Sequence, residues 1–485
     1  MVNYKEYFKL SFLYTVVAAF PNVLQLIVYP IIEGKSKLTA FDFGHLAITE
    51  AITTFAFIVI LFSMGSGISR FYYDYKHSKE GYNKLVSTTY NGILVRGALL
   101  LGLCLIISPF VGNLFSDIAL QDFGRYGFAL VITGINRSII TAAVSLYRNE
   151  KRVSSFILVN VASGIFRSTF QVGGIFLFEM SFVGYVYGTA VGGSMVSLAI
   201  LAYSWHKHGL HFTKSIRTEI YKFASPLFQY ELISWGLGFA DRFFLMDSPL
   251  KLGIYDNAMK FALGIQLVIQ GLTSATQPEI FELMHKGLKE NMQSIKSLSN
   301  MFIMQAIAII ALAIIPVMIF ISVFYETDLR LSATLISIVF IRYILRAQYQ
   351  VFSIPLLFNK KTKVFSIINT AILVLNIGLN WLLIPILSIY GAIVALLFSF
   401  SVQVIAIHFV QQRYIPIAWN YKKVLVYPLS IILFSALLET LKVWFNINPY
   451  LAAALIVAYI FVGMWLLYKT ELIKIINKRF NPAKR

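Results

Sequence analysis

The 485-residue sequence predicts an all-α membrane protein of about 14 transmembrane helices, built as two six-helix lobes related by a parallel repeat and followed by two more helices. Three observations predict it. The composition is apolar and poor in charge, the apolar residues come in runs of bilayer length, and polar landmarks recur at an offset near 209 residues.

Hydrophobic residues make up 58% of the chain and charged residues 13%, with a mean hydropathy of +0.73. A water-soluble surface needs about twice that charge density. Apolar runs of about 20 residues match the hydrocarbon thickness at the helical rise. The net charge of +19 would suit a polyanion, yet Lys and Arg fall in short bursts between apolar runs, so no nucleic-acid partner is expected. Cys104 is the only cysteine, which excludes an intrachain disulfide or thiolate metal site. Gly65-Ser66-Gly67 lacks the third glycine of a nucleotide fingerprint and no Walker A sequence occurs, so no cofactor is expected. His206, His208 and His211 lie in a cationic connection and read as solvated, so no metal site is expected either.

The first apolar run, 10–32, follows Lys5 and Lys9 and is too long for a signal-peptide core, so it reads as an uncleaved helix. The next spans of the first set are expected at 45–64, 85–109, 121–147, 153–178 and 182–204, the last two separated at Glu179 and Ser181. A second set follows at 223–246, 253–275, 298–323, 331–357, 364–387 and 389–411, and a final pair at 424–443 and 450–468. Of 41 Lys and Arg, 28 fall in the N-terminus, the even-numbered connections and the C-terminal tail. Only Lys35, Lys37, Lys251 and Arg330 fall in the odd-numbered ones. The positive-inside rule therefore expects both termini in the cytoplasm.

An offset of 209 carries Gly44 to Gly253, Arg96 to Gln305, Arg137 to Arg346, Asn160 to Asn369, Arg167 to Asn376 and Gln171 to Asn380. Six helices is an even number, so the two copies share an orientation. The expected organisation is an N-lobe at 1–210, a C-lobe at 211–415, and two added helices with a basic cytoplasmic tail at 416–485.

Charges inside spans each cost several kcal/mol unless they face protein or water, and so mark candidate sites. Arg125 and Lys442 stand near span ends and are set aside as snorkelling residues. Arg96, Arg137, Arg167, Arg342 and Arg346 fall mid-span, joined by Lys260, against fewer acids nearer span ends. Those acids are Glu50, Glu231, Asp241 and Asp256. Asn160, Arg167 and Gln171 share one helical face, and Asn369, Asn376 and Asn380 repeat that spacing. Each half is therefore expected to turn a polar seam towards a water-filled cleft. The expected substrate-binding residues of this cationic cavity are Arg96, Arg137, Arg167, Arg342, Arg346, Lys260, Asn160, Asn376 and Asn380, with Glu231, Asp241, Arg242 and Asp256 in coupling or gating. Surplus guanidinium favours an anionic ligand such as pyrophosphate, which its planar fork of donors fits. Outer connections are short, the longest running near Glu33 to Gly44, which leaves no catalytic segment; no enzyme and no catalytic residue are expected.

The chain resembles the multidrug/oligosaccharidyl-lipid/polysaccharide exporter superfamily, and within it the polysaccharide transporters that flip O-antigen and capsule repeat units. The resemblance rests on Pro226, Asp241-Arg242, Leu252-Gly253-Ile254-Tyr255 with Ala258, the matching Phe43-Gly44, and Tyr390-Gly391-Ala392. It implies a bacterial inner-membrane flippase that carries undecaprenyl-pyrophosphate-linked oligosaccharides to the outer leaflet. Membrane lipids, a polymerase and other glycan-assembly proteins are the implied partners. Lipid II flippases and drug–cation antiporters share the superfamily. A membrane-embedded glycan polymerase or ligase is the alternative of a different class.

Overall fold

The computed structural model describes residues 4–178, 181–359 and 361–469. The expected break at Glu179 and the basic tail beyond Lys469 lie outside the described residues.

The elements follow the lipid's demand that backbone polar groups be satisfied within each segment. In the first half these are α1 (Tyr4–Ile32), α2 (Ala40–Leu61), α3 (Met64–Tyr75), α4 (Lys79–Gly112), the short α5 (Ile118–Gln121), α6 (Phe123–Asn149), α7 (Val153–Gly173) and α8 (Phe182–His208). Then come α9 (Lys214–Leu245), α10 (Pro249–His285), α11 (Met292–Phe324), α12 (Ile336–Phe358), α13 (Thr362–Leu387) and α14 (Ile389–Tyr414). The last pair is α15 (Tyr427–Phe445) and α16 (Pro449–Leu467). With α2 and α3 counted as one broken pass, 11 of these are long and apolar enough to cross a membrane. The other long helices, α9, α10 and α12, are the ones that carry Glu231, Asp241 and Arg242, Asp256 and Lys260, and Arg342 and Arg346. The fold is thus that of a multi-pass, all-α membrane protein, with 11 candidate spans among 14 long helical passages of the described residues.

Two compact units divide the chain. The first comprises residues 1–256 with 326–328. Its centre is α6, packed on α2, α3, α4, α7 and α8. Also in this unit, α9 packs on α2, α3 and α4. Within this unit, Gly44 on α2 and Gly253 on α10 explain each other. A Cβ on Gly44 would overlap the Pro249 carbonyl, and one on Gly253 would overlap the Ala40 carbonyl. Two residues matched by the internal offset are thus the point where two backbones touch.

The second unit comprises 257–325 and the residues from 329 onwards. There α12 packs on α11, α14 and α15, while α16 lies on α11 and α15. The final pair is anchored by charge. Lys442 is 8% exposed, forms an ion pair with Glu439 and donates to the Thr334 carbonyl at 2.8 Å; Glu439 also accepts from Ser337 at 2.8 Å. Lys442 therefore does not snorkel. Its partner Glu439 went unnoticed in the sequence because it sits three residues away in an otherwise apolar run.

Candidate functional site

The site begins at a helix break. Phe62 and Ser63 adopt left-handed backbone at φ 49° and 52°, which ends α2 and starts α3 within one pass. Such a conformation costs about 1–3 kcal/mol per non-glycine residue and persists only where its surroundings hold it. Arg96 of α4 is that support. Its Nε donates to the Ile60 carbonyl at 2.7 Å, Nη2 to the Leu61 carbonyl at 3.4 Å, and Nη1 to the Tyr221 hydroxyl at 2.6 Å. The sequence placed Arg96 in the cavity as a ligand residue; the structure spends at least three of its N–H groups on carbonyls that the break exposes and on Tyr221. Gly67 lets α3 approach α9, since a Cβ there would meet Ile220 at 2.8 Å.

Beside the break lies a cavity of about 520 Å³. The break contributes Ser63, and α3 contributes Ser66, Ser69 and Arg70. From α6 come Thr141, Ser145 and Arg148, and from α9 comes Glu231. Arg137, Thr141, Ser145 and Arg148 follow one helical face, so α6 carries a polar ladder from its C-terminal end to mid-span. Cations are favoured at that end by the helix dipole. At the ladder's inner end, Phe57 lines the cavity and also lies under the Arg137 guanidinium, 5.4 Å from ring centroid to Cζ.

Arg137 was expected to lack an acid. Instead Glu50 accepts from its Nη1 at 2.7 Å, with the two side chains 33% and 36% exposed. Arg167 is half-buried, hydrogen-bonds Tyr185 and lies within electrostatic reach of Glu50 and Tyr29. Its Nε is buried without a hydrogen-bond partner. Glu50 is thus shared between two arginines, and the group keeps a net positive charge. Trp235, one turn beyond Glu231 on α9, donates to the Ala51 carbonyl at 2.9 Å and fixes that helix against α2.

The other expected residues divide by type. Arg242 is 8% exposed and bonds Asp256 at 2.8 Å and Asp241 at 3.0 Å, with Tyr255 donating to Asp241. This buried cluster joins α9 to the start of α10. In the second unit Arg342 donates to the Tyr343 hydroxyl at 3.0 Å, Lys260 is half-buried, and Arg346 is exposed with its guanidinium 5.6 Å from the Tyr349 ring.

The amide seams are buried. Asn376 and Asn380 are 1% and 0% exposed; Asn376 donates to Ser399 of α14 at 3.3 Å and Asn380 to Asn376 at 3.0 Å. Gln403 of α14 donates to Asn369 at 2.8 Å. In the first unit Asn160 is buried and bonds the Phe156 carbonyl at 2.8 Å, while Gln171 bonds Thr189 of α8 at 2.9 Å. Asn376, Asn369 and Gln171 thus bond a neighbouring helix, as polar residues do within apolar surroundings, while Asn160 and Asn380 bond within their own. His208 is also not solvated: it is 4% exposed and shares a 2.7 Å hydrogen bond with Asn83. No cluster suited to a metal occurs among the described residues.

Sequence reading missed Ser63, Ser66, Ser69, Arg70 and Arg148. The first three sit at or just after a break that no proline marks, and the two arginines had been counted as loop residues. The four-four-three spacing of Arg137, Thr141, Ser145 and Arg148 was the available signal.

No protein-family model and no curated protein sequence matches the chain at a significant level. Solved structures do share its fold. A structure titled "Lipid II flippase MurJ, inward closed conformation" aligns with a TM-score of 0.71 at 16% identity, covering 95% of this chain and 100% of that one. An inward-facing multidrug resistance MATE family transporter of the MOP superfamily aligns at 0.61 and 14%, covering 82% and 94%. A MOP superfamily transporter from Pyrococcus furiosus, whose title reports a binding pocket of reversed polarity, aligns at 0.52 and 15%, covering 84% and 95%.

Proposed function

We propose that this chain is a flippase for lipid-linked oligosaccharides. Its substrate is an undecaprenyl-pyrophosphate-linked repeat unit, moved from the cytoplasmic to the outer leaflet of a bacterial inner membrane for surface polysaccharide assembly. One observation carries the reading: the α6 ladder, which leads from Arg148 through Ser145 and Thr141 to Arg137 beside a hydroxyl-rich cavity. Burying an isolated charge in hydrocarbon costs tens of kcal/mol in the Born limit. A diphosphate headgroup therefore needs a path of donors, and hydroxyls between guanidiniums suit both phosphate and sugar. Arg137 fits as a donor station for the anion because its bond to Glu50 is partly solvated and exchangeable. Arg167, Arg342, Arg346 and Lys260 supply further positive charge.

In this reading the two six-helix lobes, 1–210 and 211–415, alternate access around the headgroup while the lipid tail stays in the bilayer. Both termini are cytoplasmic. With that side negative, outward passage of two negative charges gains about 4–5 kcal/mol at ~100 mV, so no nucleotide hydrolysis is required. Membrane lipids surround the chain, and glycan-assembly proteins consume its product. A lipid II substrate is the second reading, favoured by the likeness to a lipid II flippase over 95% of the chain.

The test is reconstitution into liposomes containing a fluorescent lipid-linked repeat unit or lipid II. Protein-dependent exposure of the glycan to an external lectin or glycosidase is expected for one of them. Failure with both, from protein that is folded and correctly inserted, would remove the flippase reading.

A further inference from the structure

An exposed ridge on α8 changes character towards the end of the helix. Met195, Ala199, Tyr203 and Lys207 follow at four-residue spacing, and all are exposed. The ridge runs from apolar side chains to a phenol and then an ammonium, the order met on passing from hydrocarbon to headgroups. A single lysine there would need no ligand, since it can snorkel to water. The structure brings a second cation to the same place. Arg152, at the start of α7, donates from Nη2 to the Tyr203 hydroxyl at 3.2 Å. Lys207 approaches that hydroxyl too, with Nζ 5.6 Å from the centre of the Tyr203 ring. Acids do not balance the pair. Glu150 meets Arg152 at 3.4 Å but also accepts from the Tyr82 hydroxyl, and Lys207 forms no ion pair among the described residues.

Two cations held around one phenol oxygen repel each other, and an anion between them removes that repulsion. The surroundings say what carries the anion. Leu158 of α7 and Met195 and Leu198 of α8 are exposed, and each lies within about 12 Å of Arg152 or Tyr203 along its helix. Just beyond α8, the connection at 209–213 is pinned to α4. Ser87 donates to the Gly209 carbonyl and accepts from the His211 amide at 2.9 Å; Asn91 donates to the His211 carbonyl at 2.9 Å, and Thr88 accepts from the Thr213 amide at 3.1 Å. Although held, this strap turns Leu210 and Phe212 outward, Leu210 at 71% exposure. Apolar side chains fixed outward beside a basic helix end fit the boundary between headgroups and acyl chains.

We propose that the start of α7 and the end of α8 form a binding site for a resident anionic phospholipid. Its phosphate bridges Arg152 and Lys207 beside the Tyr203 hydroxyl, and an acyl chain follows the ridge past Ala199 and Met195. The lipid neutralises the two cations and ties one helix start to the neighbouring helix end, as basic sites between transmembrane helices do with acidic headgroups. It occupies the leaflet at that end of α8, which is the cytoplasmic one in the orientation expected from loop charge. The site lies on the outer surface of the first unit, apart from the cavity, and it stands whether or not the flippase reading holds.

The experiment titrates phosphatidylglycerol, phosphatidylcholine and water-soluble glycerol 3-phosphate into the purified, delipidated full-length protein in a non-ionic detergent. Thermal unfolding is followed, and retained lipid is counted by mass spectrometry. Phosphatidylglycerol is expected to raise the midpoint in a salt-sensitive way, with phosphatidylcholine and glycerol 3-phosphate far weaker. Arg152→Gln and Lys207→Gln should each weaken phosphatidylglycerol binding about tenfold, the loss of one charge-assisted contact. Lys207→Arg keeps the charge and should bind as the wild type does. Lys76→Gln, an equal loss of charge at the α3–α4 connection, should leave binding unchanged. Lys207 is exposed, so its variants read the site even where Arg152→Gln fails to fold. Equal shifts with phosphatidylglycerol and phosphatidylcholine would overturn the need for an anionic headgroup. Glycerol 3-phosphate as effective as the whole lipid would overturn the lipid and leave a soluble-anion site. Full phosphatidylglycerol binding in Lys207→Gln, or a loss in Lys76→Gln as large, would overturn the placement between α7 and α8.

Discussion

Exchanging both Arg137 and Glu50 for glutamine separates bracing from binding. The two side chains bond at 2.7 Å while each stays about one-third exposed, at 33% and 36%. A pair that solvated contributes about 0.2–1 kcal/mol to stability. The contact with the Phe57 ring adds about 0.5–1 kcal/mol. Arg137→Gln alone should therefore lower stability by about 1–2 kcal/mol, part of it from leaving Glu50 with only the more distant Arg167 as a cation. Adding Glu50→Gln removes that carboxylate, at the cost of its attraction for Arg167, and should restore part of the membrane abundance. Transport should not return, because a charge-assisted hydrogen bond to the headgroup is worth about 1.5–3 kcal/mol, or about ten- to a hundredfold. The assay compares lipid-linked glycan exposure per folded molecule in liposomes for the wild type, both single variants and the double variant. Lysine at 137 should rescue partly, since it keeps charge but not the fork. A double variant that flips at the wild-type rate would refute the role of Arg137 and show that the pair only joins α2 to α6.

Four further outcomes are expected. Arg96→Ala should lower thermal stability by about 1–3 kcal/mol, the cost of stranding the Ile60 and Leu61 carbonyls, with lysine recovering part of it in detergent melts. In a Cys104-free background, cysteines at Asn376 and Asn380 should resist water-soluble thiol reagents; prompt labelling of both would mean that the α13–α14 seam opens. Gly253→Ala should cost about 1–3 kcal/mol from overpacking, visible as reduced membrane abundance, while Gly264→Ala, which meets nothing within 4 Å, should not. Reporter fusions after Asn448 should be periplasmic and those at Arg485 cytoplasmic, and a shared location for both would overturn the expected orientation.

The passes were legible because lipid imposes one requirement everywhere: enough apolar length to cross. Helix ends were less so, since hydropathy marks the bilayer and not the backbone. The span expected at 253–275 belongs to a helix running from Pro249 to His285. The break after Leu61 left no trace of the usual kind. Phe62 and Ser63 hold left-handed backbone without glycine or proline at either position, and the reason lies 34 residues away from Phe62 in sequence, at Arg96. Tertiary support of this sort is invisible to local propensity.

Polar residues within spans were equally easy to find, but their spacing did not say what they face. Asn369, Asn376 and Asn380 have the same regularity as Arg137, Thr141, Ser145 and Arg148, yet the first set is buried between helices while the second leads into a cavity. The difference follows from what each group needs. An amide carries no net charge and can reach a neighbouring helix, as Asn376 does to Ser399 and Asn369 does to Gln403, so burial against α14 costs it less than it costs a guanidinium. A guanidinium has only donors and a full charge, and burying it demands acids or several strong acceptors such as the carbonyls at Arg96. Where acids are supplied, as Asp241 and Asp256 are to Arg242, the arginine is buried at 8% exposure and locks helices together. Where one acid is shared, as at Arg137, or no ion pair forms among the described residues, as at Arg148 and Arg346, the residue keeps solvent access. Charge balance around each arginine, more than helical spacing, therefore separates the residues that hold this fold from those left available to an anion.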